Sequence, residues 1–327
     1  MSIMRPCVTR LALLALGVLF AQTAALAQAY PVKPIRLVVP YAPGGATDVL
    51  ARPIASKLAE IVGQPVVIDN KPGGNATIGA DNVRQSPADG YALLMGSINH
   101  YLVPFFTKRM PYDTMRDFTP VADVCIVPNM LAVHPSVPIQ SMSEFVAYAK
   151  KNPGKLFYGT TGVGSTHHLG GIMLAQFAKI DIEHVPYKGG NPTMADVLAG
   201  AIPMAIVTAT TILPQHRAGK LRALGVIEGQ RYRGAPEIPA IGETVQGYAM
   251  PDTWLGILAP AGLPGPIAAK LNADVRAAVN APEVKSRLES LGFEVTTKHS
   301  PEAFAAEITR TVTIFKKIID ESGIKPE

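Results

Sequence analysis

From Ile35 onward, short apolar runs alternate with helix-patterned stretches across brief turns, and no other feature of the sequence restricts the fold so strongly. Ile35–Val39 reads as a buried strand. The pattern predicts a helix over 48–62, bent near its start by Pro53, then a strand at 65–69, a helix at 77–85 and a strand at 91–95. The stretch 121–131 is long for a strand and reads as the chain crossing into a second domain. There the alternation resumes with helix Met142–Lys151, strand 156–158, helix 166–177 and strand 182–185. Helix 193–199, strand 204–207, helix 213–218 and strand 223–226 follow. Residues 236–251, with Pro236, Pro239 and Pro251, read as a long surface loop, and 252–258 as a return strand. The tail holds helices at 264–280, 282–291 and Pro301–Ser322, each opened by a proline, with a short strand at 293–296. This alternation specifies an α/β protein with mixed, mostly parallel sheets flanked by helices, and it places ligands at the carboxyl ends of strands. Two crossings make the first domain discontinuous, 28–126 with 255–327, and leave 127–254 as the second.

The first 27 residues have the order of a secretion signal: Arg5 and Arg10, an apolar run over 11–21, then the small-x-small site Ala25-Leu26-Ala27. The run is too short for a membrane span, which needs about 20 residues. Its removal takes away two arginines and no acidic residue, so the formal net charge falls from +5 to +3. The remaining bases are scattered and form no stripe interleaved with aromatics, which argues against nucleic acid. Cys7 leaves with the signal and Cys125 stands alone, so the mature chain is held by its core and not by disulfides.

Two turns carry the chemistry. Pro40-Tyr41-Ala42-Pro43-Gly44-Gly45-Ala46-Thr47-Asp48 lies between a strand and a helix, and Gly159-Thr160-Thr161-Gly162-Val163-Gly164-Ser165 repeats that arrangement in the second series. A strand, a glycine turn and a helix start gather free backbone amides at the positive end of a helix dipole, which suits a small anion. Two such half-sites suggest a cleft. A nucleophile elbow is absent because no glycine stands two residues after Ser165. The phosphate loop and the dinucleotide fingerprint are also absent. His167 and His168 are adjacent, so on a helix they point about 100° apart and cannot chelate one metal together. Asp48 reads as a base or a helix-start cap, Lys188 as an anion partner or a solvated base, and Tyr187 and Trp254 as cleft walls or core. No catalytic constellation emerges, and no cofactor or metal is expected.

The chain resembles the solute-binding proteins of the tripartite tricarboxylate transporter family, the Bug-type receptors. The resemblance rests on Tyr30-Pro31-x-Lys33-Pro34-Ile35-Arg36, Pro40-Tyr41-Ala42-Pro43-Gly44-Gly45-x-x-Asp48, Asn70-Lys71-Pro72-Gly73-Gly74 and Pro87-Ala88-Asp89-Gly90-Tyr91. It continues through His184-Val185-Pro186-Tyr187-Lys188-Gly189, Ala218-Gly219-Lys220-Leu221-Arg222-Ala223-Leu224, Trp254-x-Gly256 and Ala259-Pro260-Ala261-Gly262. It implies a two-domain periplasmic-binding fold of the Venus-flytrap type, a periplasmic location, and a monomer. It also implies a small carboxylate ligand delivered to integral-membrane permease subunits. Carried over, Tyr41, Ala42, Pro43, Gly44, Gly45 and Asp48 form one half-site; Gly162, Val163, Gly164 and Ser165 form the other, near Tyr187, Lys188 and Gly189. Ser97 and Asn99 add polar contacts. Family members often carry an acidic residue after the strand at 204–207, where this chain has Val207 followed by Thr208, and the stretch 95–100 also departs from the family pattern. The alternatives are a receptor that presents its ligand to a sensor kinase, and a secreted hydrolase using Ser165 with His167 or His168.

Overall fold

The structure, a computed structural model, describes residues 30–296 and 300–322; the expected signal segment lies outside the described residues. The alternation folds into two sheets. Strands β1 (Ile35–Val39), β2 (Val66–Asn70), β3 (Ala92–Ser97), β4 (Phe118–Ile126), β10 (Trp254–Pro260) and β11 (Glu294–Val295) form the first, in the order β11-β4-β10-β3-β1-β2. Strands β5 (Asn129–Val133), β6 (Leu156–Thr160), β7 (Ile182–Pro186), β8 (Met204–Thr208) and β9 (Arg222–Val226) form the second, in the order β7-β6-β8-β5-β9.

The sheets are less parallel than the sequence suggests. β1 pairs in parallel with β2 and β3, and β6 with β7 and β8, as strand–helix–strand units require. The strands entering from the crossings pair antiparallel, β10 with β3 and β4 and β5 with β8 and β9, and the short β11 also pairs antiparallel with β4. A strand arriving from the other sheet has no crossover helix to turn it round.

Helices α1 (Ala46–Val62), α2 (Thr77–Arg84), α3 (Ile98–Leu102) and α4 (Met142–Lys151) follow in chain order. Next come α5 (Thr166–Ala178), α6 (Gly190–Leu198), α7 (Ala209–Arg217), α8 (Gly265–Asn280), α9 (Pro282–Ser290) and α10 (Pro301–Ser322). α1 continues through Pro53 and ends on Gly63, whose left-handed φ of 67° lets its amide reach Ala59 O. The short α3 was not expected; it begins where β3 ends.

Within the run 121–131 the strand breaks at Val127–Pro128, because proline cannot donate to a ladder, and the chain leaves one sheet for the other there. One further reading needs correction. The segment 236–251 is not a surface loop. Its Ile238, Ala240, Ile241, Val245, Tyr248 and Met250 are buried, and a short 3-10 turn, Ile241–Glu243, runs through it. Turn residues marked it as irregular, while the apolar residues between them pack onto the second sheet.

Candidate functional site

In the first turn, Gly44 adopts φ +78°, a conformation that glycine takes without strain, and turns the chain into α1. Asp48 holds this turn from inside. Its buried carboxylate accepts the Gly44 amide (2.9 Å), both Nε and Nη2 of Arg52 (2.8 and 2.9 Å) and Asn70 Nδ2 (3.0 Å). Burial works to raise its pKa, but these hydrogen bonds and the Arg52 charge together hold it below the ordinary carboxylate value. Asp48 is therefore a brace and is fully committed. Ala42, Pro43 and Gly44 remain exposed around it, with Gly45 half-buried.

In the second turn, Gly162 (φ +130°) and Gly164 (φ +78°) bring the backbone around from β6 to α5. Ser165 caps α5: its hydroxyl donates to Gly162 O (2.7 Å) and accepts the His168 amide (3.2 Å). His168 Nδ1 accepts the Gly164 amide (3.2 Å), and its ring stacks on His184 at 4.0 Å. His184 Nε2 meets Thr160 Oγ1 at 2.6 Å, and that hydroxyl oxygen accepts the Gly162 amide (3.2 Å). A side chain at Gly164 would strike the Phe106 ring at 2.7 Å, so glycine is required by packing as well as by φ. Val163 is exposed at the tip.

The two turns are joined. The Tyr41 phenol from the first turn interacts with the side chains of Ser97, the last residue of β3, and Asn99, in α3. Asn99 Oδ1 in turn accepts the amide of Thr166, the first residue of α5, at 3.1 Å. Burial raises the Tyr41 pKa, only partly opposed by those two side chains, so the phenol stays protonated. Thr166 is fully buried there, and its Oγ1 has no hydrogen-bond partner among the described residues. Asn99 thus stands at the positive end of the α5 dipole with an uncharged oxygen, where an anion would be favoured more.

The other expected residues line the same edge of the second sheet. The Tyr187 amide donates to Thr160 O (3.1 Å), and its hydroxyl to Asp196 (2.6 Å). Gly189 (φ +129°) opens α6 without a side-chain cap, beside the exposed Lys188. Thr208 precedes α7, and its hydroxyl meets those of Thr210 (2.8 Å) and Thr211 (3.0 Å). Val207 does not face the cleft: it is fully buried in the apolar cluster with Met130 and Ile212. The strand's polar end is Thr208. Trp254 is buried against Tyr101 and Phe304.

Residues 50–324 match the family described as the tripartite tricarboxylate transporter family receptor. The chain belongs to that family. Three solved structures agree with this assignment. One is Rpa4515 of R. palustris with adipate, 34% identical, with a TM-score of 0.85 over 91% of this chain and 100% of that one. A second is the periplasmic binding protein BugD, 31% identical, with a TM-score of 0.82 over 91% and 100%. The third is MatC from Rhodopseudomonas palustris with bound malate, 30% identical, with a TM-score of 0.79 over 89% and 100%. These receptors of the tripartite tricarboxylate transporter family are periplasmic solute-binding proteins, so the chain is a receptor and not an enzyme. The local chemistry agrees, since Ser165 spends its hydroxyl on capping while His167 Nδ1 and Nε2 meet Thr161 (2.8 Å) and Asn129 (2.7 Å).

Sequence reading missed the polar group beneath the second turn of this receptor: half-buried Thr161 with buried Asn129, Glu228 and Thr253, which join His167. Asn129, directly after Pro128 at a crossing, was the only available signal. Their sequence separations conceal the rest.

Proposed function

We propose that this receptor captures a small organic acid in the periplasm between its two glycine turns and delivers it to the permease subunits of a tripartite transporter. The two bodies, residues 28–126 with 255–327 and residues 127–254, close about the crossings at Val127–Pro128 and Thr253. The observation that carries this reading is the Asn99–Thr166 hydrogen bond beside the Tyr41 phenol, which brings the first turn, the residues after β3 and the start of α5 to one point. A ligand carboxylate oxygen would take the place of Asn99 Oδ1 on the Thr166 amide, gaining a charge-assisted hydrogen bond and the helix dipole. The acidic side chain nearest this point on the first turn is Asp48, which Arg52 already neutralises. Adipate and malate in the two related structures support a carboxylate class, and the signal-like segment 1–27 supports export.

The test is a thermal-shift screen of the mature chain after unfolding and refolding, against adipate, malate and their amides. An acid at 100 times its dissociation constant adds roughly 2.7 kcal/mol of stability, and its amide adds far less. Gly44→Asp places a carboxylate beside the site with nothing within 4 Å of the added Cβ, at a left-handed φ of +78° that costs an L side chain roughly 1–2 kcal/mol. We expect a folded variant without acid binding. Undiminished affinity in that variant would show that the first turn is not part of the site.

A further inference from the structure

We propose that Glu228, Asn129 and His167 form a positioning relay that fixes the second glycine turn against both inter-sheet crossings, so that ligand affinity depends on residues that do not touch the ligand. The affinity part rests on the carboxylate-receptor reading above; the relay itself does not. Asn129, Glu228 and His167 are 0, 4 and 4% exposed, and Thr253 is 6% exposed.

The direction of each proton follows from the partners. Asn129 Nδ2 faces Val127 O (3.1 Å), which can only accept, together with Glu228 Oε1 (2.7 Å) and Thr253 Oγ1 (2.9 Å). Its Oδ1 therefore faces His167 Nε2 at 2.7 Å, and Nε2 must carry the hydrogen. The neutral ring leaves Nδ1 as an acceptor, and the Thr161 hydroxyl donates to it at 2.8 Å. The chain of bonds runs from the turn to the crossing without a reversal. The Asn129 amide also donates to Glu228 Oε2 (3.0 Å), so Glu228 grips Asn129 at two points. Backbone bonds bind the same segments: Val127 N to Thr253 O (2.7 Å) and Ile227 N to Asn129 O (3.0 Å). One side chain, Asn129, thus joins both crossings, the exit of β9 and the α5 turn.

A carboxylate is a costly choice for a static brace. The groups facing Glu228 are Asp252, of like charge, the Tyr248 phenol, and His167 through Asn129. Burial first, with Asp252 adding, pushes its pKa up to about 8, against the opposing Asn129 hydrogen bonds. His167 is held neutral by burial, its pKa pushed down to about 4.

The single tryptophan, Trp254, follows Thr253 and reports on this point without any ligand. We expect its emission to titrate with a midpoint near pH 8 in the wild type, and the transition to vanish in Glu228→Gln. A transition unchanged in that variant overturns the assignment of Glu228. Nitrogen NMR of His167 should show the neutral Nε2–H tautomer down to about pH 5, and an Nδ1–H tautomer would reverse and overturn the relay. For the affinity arm, Thr161→Val should weaken adipate or malate binding about tenfold, while Thr161→Ser restores it. Equal affinity in all three proteins overturns the positioning role. If neither acid binds the wild type, the carboxylate reading fails, and the Trp254 and His167 measurements decide the relay alone.

Discussion

Asp48 had two readings in the sequence, a base or a cap, and its partners decide between them. Three groups, the Gly44 amide and Arg52 four residues to either side and Asn70 from the end of β2, converge on one buried carboxylate. Replacing it with asparagine keeps the shape but sets an NH2 against donors and leaves Arg52 without its partner. We expect Asp48→Asn to lose about 1–3 kcal/mol in denaturant unfolding and to loosen the Gly44 turn, weakening ligand binding. An unchanged midpoint would mean that the turn holds without the brace. The glycine turns themselves were legible at this scale as glycine clusters between a strand and a helix, and in them Gly44, Gly162 and Gly164 take the positive φ that glycine adopts without strain. Asn99 and Thr166 were not legible as a pair. They lie 67 positions apart, and nothing local signals a hydrogen bond between them.

Among the elements, α10 has a role that its amphipathic pattern does not disclose. Phe304, Ile308, Phe315 and Ile319 lie in one apolar cluster with Leu94 of the first sheet and with Leu131 and Ile206 of the second. The helix touches β4, α3 and α5, and so packs on both halves. Its 22 residues supply apolar surface on one face while the opposite face carries ion pairs such as Lys316–Asp320. Phe315→Ala, at a fully buried position, should cost about 3–5 kcal/mol through lost transfer energy and the cavity left behind. A cost under about 1 kcal/mol in equilibrium unfolding would show that the site collapses around the loss. The helices and strands were mostly legible because a 3.6-residue or continuous apolar pattern survives in each. The segment 236–251 was not, since its burial comes from neighbours it meets only after folding.

For the molecule as a whole, buried titrating groups set opposite slopes on stability against pH. Burial pushes the pKa of His100 and His184 down to about 3, and of His167 and His168 to about 4, from 6.5. The unfolded chain binds those protons below 6.5 while the folded protein does not, so stability falls as pH falls from 6.5 toward 4. Glu228 acts the other way. Its pKa rises from 4.5 to about 8, so the folded protein keeps a proton that the unfolded chain has lost, and stability falls as pH rises across that window. Four histidines outweigh one glutamate below 6.5, and above it Glu228 remains. We expect denaturant midpoints to peak near pH 6.5 and to decline toward pH 8, with the decline reduced in Glu228→Gln. A steady rise to pH 8 would contradict this. By itself, the sequence determined the α/β alternation, the two strand–glycine–helix turns and the family, because these are short-range patterns of hydrophobicity and backbone freedom. Tertiary structure alone decided the antiparallel pairings, the burial of 236–251, the placement of Thr208 in preference to Val207 at the strand end, and the Glu228–Asn129–His167 relay. Each of these depends on partners far apart in the chain, and only the packed core brings them within hydrogen-bonding or van der Waals reach.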